Sequence, residues 1–260
     1  MRIISFITLI CVFLLPTLVG AEQIDLNQVV ATLELPFQAT SQRGSKSGSA
    51  GIYDFQAEFS QESQIVSLDR VQRGQGQVSF KFLRTSGKPA PVVKFRWEYL
   101  QPTPQEIVSD GRTLWVYVPE NRQVIESDIS HISQQQGENP VTFLSGLGNL
   151  SRDFNIRWGD PRNDEAGNYL LELEPKRESQ MIRTLRIVVA RAAVADYVKN
   201  HRTGKVFPIL ATEVIDPNGN QTTIRFHNPR VNADLAEVLF TFDKPAGVEV
   251  VRPTGEELHN

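Results

Sequence analysis

The chain has 260 residues, with 27 lysines and arginines against 30 aspartates and glutamates and a formal net charge of −3 at neutral pH. That mild acidity, with no run of basic residues in any segment, excludes a nucleic-acid binder. A single cysteine excludes a disulfide framework and a thiolate metal centre, and a chain of this length buries a core without such staples.

Residues 1–21 (MRIISFITLICVFLLPTLVGA) carry one basic residue, an apolar run and a small-x-small end, Val19-Gly20-Ala21. This is the pattern of a cleaved export signal, with Glu22 as the first mature residue. The apolar run is too short to span a bilayer comfortably, and no later segment approaches the length a span needs. Cleavage removes Cys11, the only thiol. The expected organisation is a signal peptide over 1–21 and a single domain over 22–260.

Helical spacing comes first. Apolar residues at 26, 29, 30 and 33 predict a helix over 24–35, with Asp25 as its N-cap and Pro36 as its end. A Gly- and Ser-rich stretch over 41–51 reads as a loop. Period-two alternation then takes over. Tyr53, Phe55, Ala57 and Phe59 share one side of a strand, as do Val78, Phe80 and Phe82, and again Phe95, Trp97 and Tyr99. Each strand has one wet face and one aromatic face. Gly74 and Gly76 fit a bend or bulge within the second of them.

Asp110-Gly111 turns the chain into a strand over 114–118, and Pro119-Glu120-Asn121 turns it again into 123–126. Two alternating sets compete in that strand, Trp115 with Tyr117 and Leu114 with Val116 and Val118. The pattern leaves open which of them faces inward. Residues 138–154 break the alternation: Val141, Leu144 and Leu147 share a helical face, flanked by Phe143 and Leu150, with Gly146 and Gly148 inside. Each glycine weakens a helix by about 1 kcal/mol relative to Ala, so short, loosely held helices are expected. Further strands are predicted over 155–158, 169–174, 184–191, 209–215, 222–226 and 238–242, with a hairpin at Asp216-Pro217-Asn218-Gly219. Tight turns between consecutive short strands indicate an antiparallel meander.

No catalytic constellation emerges. The four histidines, His131, His201, His227 and His259, lie at no metal-binding spacing. Gly44-Ser45-Lys46-Ser47-Gly48 has glycines and serines in a polar loop, without the strand and helix that a nucleophile elbow requires. Acidic residues such as Glu34, Glu58, Glu62 and Asp69 offer carboxylate pairs, as any chain with thirty acids does. The expectation is a non-enzyme with neither metal nor cofactor. An exported hydrolase stays as the minor alternative, which requires an acid–base pair meeting in space.

Several stretches together resemble one family. GQGQVSFKF (74–82) with KFRWEY (94–99) is similar to the Gly-x-Gly and Phe-x-Trp strands of the periplasmic LolA lipoprotein carriers. IVSDGRTLWVYVPENRQV (107–124) resembles that family's Ser-Asp-Gly-x-x-Leu-Trp-x-Tyr segment, the most specific part of the match. NPVTFLSG (139–146) lies where the family has its lid helix, and FTFDKPAGVEVV (240–251) resembles its closing strand and turn.

The resemblance implies an α+β, mainly β fold: an open, incomplete antiparallel β-barrel with short α-helices as a lid over a hydrophobic cavity. It implies a carrier that takes lipoproteins, by their acyl chains, from an inner-membrane ABC lipoprotein-releasing transporter. The carrier then hands them to an outer-membrane acceptor lipoprotein, working as a periplasmic monomer. Moving acyl chains into water costs about 0.8 kcal/mol per CH₂, so a carrier must cover nearly all of that surface and still release it. Phe80, Phe82, Phe95, Trp97 and Tyr99 are the expected cavity wall, with ordinary core packing as the alternative for each. Val141, Phe143, Leu144 and Leu147 are the expected lid.

The family's latch arginine has no direct counterpart, because FKFLRTSGKPAPVVKFRW is several residues longer there; Arg84 is the preferred substitute and Lys88 the other. The stretch 192–206 is extra, as a longer hairpin or a partner-contacting loop. A sensor or signalling domain on the same fold, such as an antisigma-factor regulator, is the second functional reading. That reading would call for a further partner-binding domain.

Overall fold

A computed structural model describes residues 24–38, 51–83, 92–129, 144–200 and 204–253. The chain enters through α1 (Leu26–Gln38), whose start is a reciprocal capping box. Gln28 N–H donates to Asp25 Oδ1 at 2.8 Å, and Asp25 N–H donates to Gln28 Oε1 at 2.9 Å. The helix runs two residues past Pro36, the expected stop. Pro36 sits in the last turn, where one lost N–H is tolerated, and its carbonyl accepts the N–H of Ile52 as the chain returns. Val29, Leu33 and Phe37 bury one face of the helix.

Twelve strands follow in one open sheet: β1 (Asp54–Ile65), β2 (Arg70–Leu83), β3 (Val92–Gln101), β4 (Gln105–Ser109), β5 (Thr113–Val118), β6 (Gln123–Asp128), β7 (Phe154–Asn163), β8 (Tyr169–Pro175), β9 (Thr184–Val189), β10 (Ile209–Ile215), β11 (Gln221–Val231) and β12 (Glu249–Val251). Their order is β12-β6-β5-β4-β3-β2-β1-β11-β10-β9-β8-β7. Two antiparallel meanders, β1 to β6 and β7 to β11, are joined where β1 pairs β11. Only β12 is parallel to its neighbour.

The strand predictions hold in kind and run longer at several ends. The predicted strand over 184–191 stops at Val189, and Arg191–Asn200 forms a helix instead. It is numbered α3 here, α2 being the short Leu150–Asp153. The stretch suspected of being a hairpin or loop is therefore largely helical. The predicted strand over 238–242 is absent: Glu237–Phe240 is a 3₁₀ turn within an extended segment.

Side chains from both meanders meet in one core with α1 and α3: Phe55, Phe59, Phe80, Phe95 and Trp97 with Leu171, Leu185, Ile187 and Val189, and with Leu33 and Val194. A sheet whose two wings share a core is curled around it, helices on the concave side. Opposite faces differ sharply. On the outer face a cross-strand row runs Arg157, Glu172, Arg186, Glu213, Thr223, Glu62 and Arg73 across seven strands. Arg186 bridges Glu172 and Glu213 at 3.0 and 2.9 Å, Arg157 pairs with Glu172, and Arg73 pairs with Glu62 at 2.9 Å.

Residues 232–251 form a strap across the outer face of β1 to β6. Its root is a buried carboxylate: Ala233 N–H donates to Asp54 Oδ1 at 2.7 Å and Leu235 N–H to Asp54 Oδ2 at 3.1 Å. Lys81 on β2 and Lys94 on β3 then hold Glu237 at 2.7 and 2.8 Å. Arg96 donates to the carbonyls of Leu239 and Thr241. The strap ends as β12 against β6, with Arg252 on Glu126 at 2.8 Å.

Candidate functional site

Strand pairing sorts the inner face into rows. Phe55, Phe80, Phe95, Ser109, Leu114 and Ser127 make one; Ala57, Val78, Trp97, Ile107, Val116 and Ile125 make the next. Phe59, Gly76, Tyr99 and Gln105 make a third. Within the second row, burial fades from β1–β3 toward β4–β6. Val78 and Trp97 are 0% and 1% exposed, whereas Ile107, Val116 and Ile125 are half-buried. Leu114 and Val118 are half-buried as well. The inner face of β4 to β6 is thus apolar and only partly covered by the described residues, the one stretch of concave surface where aliphatic side chains from three adjacent strands stand together half-open.

The expected wall lies deeper. Phe80, Phe82, Phe95 and Trp97 are between 0% and 7% exposed and belong to the core, while Tyr99 is half-buried at its margin. Phe80 stacks on Phe55 at 5.0 Å and on Phe95 at 5.6 Å, and Phe59 packs on Trp97 at 4.5 Å. These rings form a floor that continues directly into the half-open rows. Tyr99 donates to Gln61 Oε1 at 2.7 Å, and burial pushes its phenol up to about 12, only partly offset by the Trp97 indole beside it.

Val141 and Phe143 of the expected lid, and the latch candidates Arg84 and Lys88, lie outside the described residues. Leu144 begins a 3₁₀ segment, Leu144–Asn149, and Leu147 is 1% exposed in the core. That segment is docked on α1 rather than loose. Gln38 Nε2 donates to the Gly148 carbonyl at 2.6 Å, and Ser151 N–H donates to Glu34 Oε1 at 2.6 Å. A Cβ on Gly148 would stand 3.4 Å from the Phe37 backbone, an ordinary van der Waals distance that shows how closely the segment lies on α1.

The open question of Trp115 and Tyr117 resolves outward. Val116 pairs with Ile107 and Leu114 with Ser109 on the inner face, which puts Trp115 and Tyr117 on the outer one. There both rings pack on Phe242 of the strap, at 6.1 and 5.9 Å, and Trp115 Nε1 donates to Glu126. The Ser-Asp-Gly before them is a turn device. Asp110 Oδ1 accepts the N–H groups of Arg112 and Thr113 at 2.8 and 2.7 Å, Ser109 Oγ accepts that of Gly111, and Gly111 has φ +90°. The most distinctive motif of the chain shapes and straps the half-open wing instead of lining it.

An acid–base pair does meet in space, one that sequence reasoning missed: Ser60 Oγ lies 2.9 Å from His227 Nε2. Both residues sit inside paired strands on the exposed outer face, where the sheet ladder occupies the backbone N–H groups that an oxyanion would need. Their positions 167 residues apart carry no local signal.

The family model described as outer membrane lipoprotein carrier protein LolA matches residues 50–243. An outer-membrane lipoprotein carrier protein of Pseudomonas aeruginosa is 31% identical over 198 residues, covering 75% of this chain and 80% of that protein. One from Nitrosomonas europaea is 28% identical over 224 residues, covering 86% and 94%, and one from Methylococcus capsulatus 31% over 206, covering 75% and 89%. The crystal structure of a LolA superfamily protein from Nitrosomonas europaea covers 85% of this chain and 99% of its own at 15% identity, with a TM-score of 0.40.

Proposed function

The chain belongs to the LolA family of outer membrane lipoprotein carrier proteins, and from that premise we propose that residues 22–260 are one periplasmic carrier domain that shelters lipoprotein acyl chains on the inner face of β4 to β6. The observation that carries this reading is the half-open apolar surface of Ile107, Leu114, Val116, Val118 and Ile125, continuous with the aromatic floor of Phe95 and Trp97. Aliphatic chains laid there exchange water for apolar contact at about 25 cal/mol per Å². The floor supplies rigid, low-entropy area, and Val141, Phe143, Leu144 and Leu147 supply the lid, with Arg84 as its latch. The work is binding and release, not catalysis. The carrier acts as a monomer that receives its cargo from an inner-membrane ABC transporter and passes it to an outer-membrane acceptor.

Native mass spectrometry of the chain from Glu22, with and without a triacylated lipoprotein, tests this. A soluble one-to-one complex is expected. A chain that stays free beside the solubilised lipoprotein refutes the carrier reading.

A further inference from the structure

β7 is the last strand of the sheet, and among the described residues only its β8 side is paired. Lys176 N–H donates to the Asp153 carbonyl, so these two form a hydrogen-bonded pair. Alternation along an antiparallel ladder makes Asn155 with Glu174 and Arg157 with Glu172 the next two such pairs. The residues between them, Phe154, Ile156 and Trp158, aim their backbone groups away from β8, and Pro175, which has no N–H, stands opposite Phe154. Phe154 N–H is spent on the Leu150 carbonyl. The Phe154 carbonyl and both backbone groups of Ile156 and Trp158 meet no backbone partner among the described residues. Beyond Trp158 the register shifts, Pro161 follows, and Arg162 lies over the Trp158 ring at 3.8 Å, which closes the edge there. The open part is 154–158, about 17 Å long.

A row of donors and acceptors repeating every second residue matches another extended polypeptide. Ile156 and Trp158 point inward and pack on the same core as Ile107 and Leu114 of the half-open face. On the outer side, Arg157 ends the cross-strand row of charges, 62% exposed, with its Nη2 alone engaged by Glu172 and Glu174. Its Nε and Nη1 can answer a carboxylate on an incoming strand, at a position where facing side chains stand closest. A second copy is a poor match, because two β7 strands paired about Ile156 set Arg157 against Asn155.

We propose that the free edge of β7 takes up the polypeptide adjoining the lipidated residue of the cargo. It adds as an antiparallel strand, apolar side chains beside Ile156 and Trp158 and a carboxylate opposite Arg157. The inference rests on the carrier reading. A lipoprotein held by its acyl chains has a polypeptide that must leave the shelter, and backbone bonds grip it with little regard to sequence. The acyl chains tether it at high effective concentration, so a few weak bonds suffice.

The probes are dipalmitoylglyceryl-cysteine peptides continued by alternating Val and Glu, titrated into the chain from Glu22. Two further probes are N-methylated, one on every Val amide and the other on every Glu amide. With Val facing inward, the Val N–H groups are those that meet β7. Methylating them is expected to weaken binding about tenfold, as the loss of several hydrogen bonds gives, and methylating the Glu set should change little. Gln in place of Glu should cost about fivefold in the wild-type chain and nothing in Arg157→Gln. In the complex, the amides of Ile156 and Trp158 should gain protection from hydrogen exchange, while those of Asn155 and Arg157, already bonded to β8, stay as they were. Palmitate alone should leave all four unchanged. Equal affinities for the two methylated probes, a Gln probe that binds as well as the Glu probe, or protection without alternation overturns the proposal and leaves the carrier reading standing. Ile156 and Trp158 amides protected before any probe is added give the edge to the chain itself or to a second copy, and overturn it too. Failure to bind either the lipopeptides or palmitate overturns the carrier reading and this inference with it.

Discussion

Phe242 and Trp115 stack on the outer face of the sheet, ring centroids 6.1 Å apart and planes 23° from parallel. A residue from the end of the chain is thereby fastened to the middle of the most characteristic strand. The contact works as a clasp for the strap, on the face opposite the proposed acyl-chain site. Replacing Phe242 with Ala is expected to cost about 1–3 kcal/mol, from lost area plus lost ring–ring contact. Urea unfolding should report that loss, limited proteolysis should find new cuts in 235–251, and acyl-chain binding should be unchanged. A fall in binding comparable to the fall in stability would mean that the strap shapes the inner face directly.

Val116→Glu puts a carboxylate into the half-open apolar face without forcing it into the core. The variant is expected to fold, since Val116 keeps partial contact with solvent, and to lose acyl-chain affinity by at least tenfold. Trp97→Glu behaves differently, because a charge at a site 1% exposed has nowhere to go and destabilises the sheet by several kcal/mol. Fluorescence displacement with a fatty-acid probe, read beside thermal melting, separates the two. Wild-type affinity in Val116→Glu would move the acyl chains off β4 to β6.

Glu237 ties the strap to two strands, and its carboxyl group is held below its ordinary value of 4.5, first by the hydrogen bond from Lys81 and then by that from Lys94. A lowered folded value means that the folded state binds the proton less readily than the unfolded one. The stabilisation is therefore complete above pH 4.5 and disappears as pH falls through the lowered value. Glu237 is 57% exposed, so solvent screening keeps the effect within about 1 kcal/mol. Strap proteolysis by an acid protease should rise below pH 4.5 in the wild-type chain, and Glu237→Gln should show the raised rate at every pH. A wild-type rate that is flat in pH would mean that the backbone anchors at Asp54 and Arg96 hold the strap unaided.

The two glycines of GQGQ differ in what surrounds them. A Cβ on Gly76 would stand 1.8 Å from the Glu98 carbonyl oxygen, whereas one on Gly74 would meet the Tyr99 ring at 3.1 Å. Backbone cannot give way inside a paired ladder, but a half-buried ring shifts. Gly76→Ala is expected to cost about 3 kcal/mol or more through the forced break in β2–β3 pairing, and Gly74→Ala about 1 kcal/mol or less. Paired denaturation curves test the order; equal costs would mean that the bulge facing Gly76 relaxes.

Much of the sheet was legible because so many strands have one wet side. Phe55, Ala57 and Phe59, then Val78, Phe80 and Phe82, then Phe95, Trp97 and Tyr99 alternate with polar residues, and all of them point inward as the pattern implied. The expected bulge at the glycines is displaced: the register does shift between Gln75 and Gly76, but the extra residue, Leu100, belongs to β3, the strand opposite. β5 defeated the same reasoning because both of its sides are covered, one by the strap and one by the concave face, so both alternations are apolar. The strap itself left no local trace. Val238, Phe240 and Phe242 alternate like a strand, yet Val238 is 69% exposed and Phe240 is buried. What holds them are charges on Lys81, Lys94 and Arg96, which read as an ordinary solvated face. α3 was missed because it buries little beyond Ala193 and Val194. The aromatic set was correctly placed on the inner side, but periodicity carries no depth, and so it could not separate a packed floor from an open wall.

The row of outer-face charges from Arg157 to Arg73 does something that its modest pairwise strength would not suggest. Exposed ion pairs contribute at most about 1 kcal/mol each, but this row is periodic across strands instead of along one. Slide β9 by two residues, the smallest slip that keeps its apolar side inward, and Thr184 or Val188 replaces Arg186 between Glu172 and Glu213. Two carboxylates would then face each other across a strand with no cation between them. An apolar face alone scarcely distinguishes Leu185, Ile187 and Val189 as partners for Leu171 and Leu173. The charges on the wet side make that distinction, so each strand carries its address on the surface it does not bury.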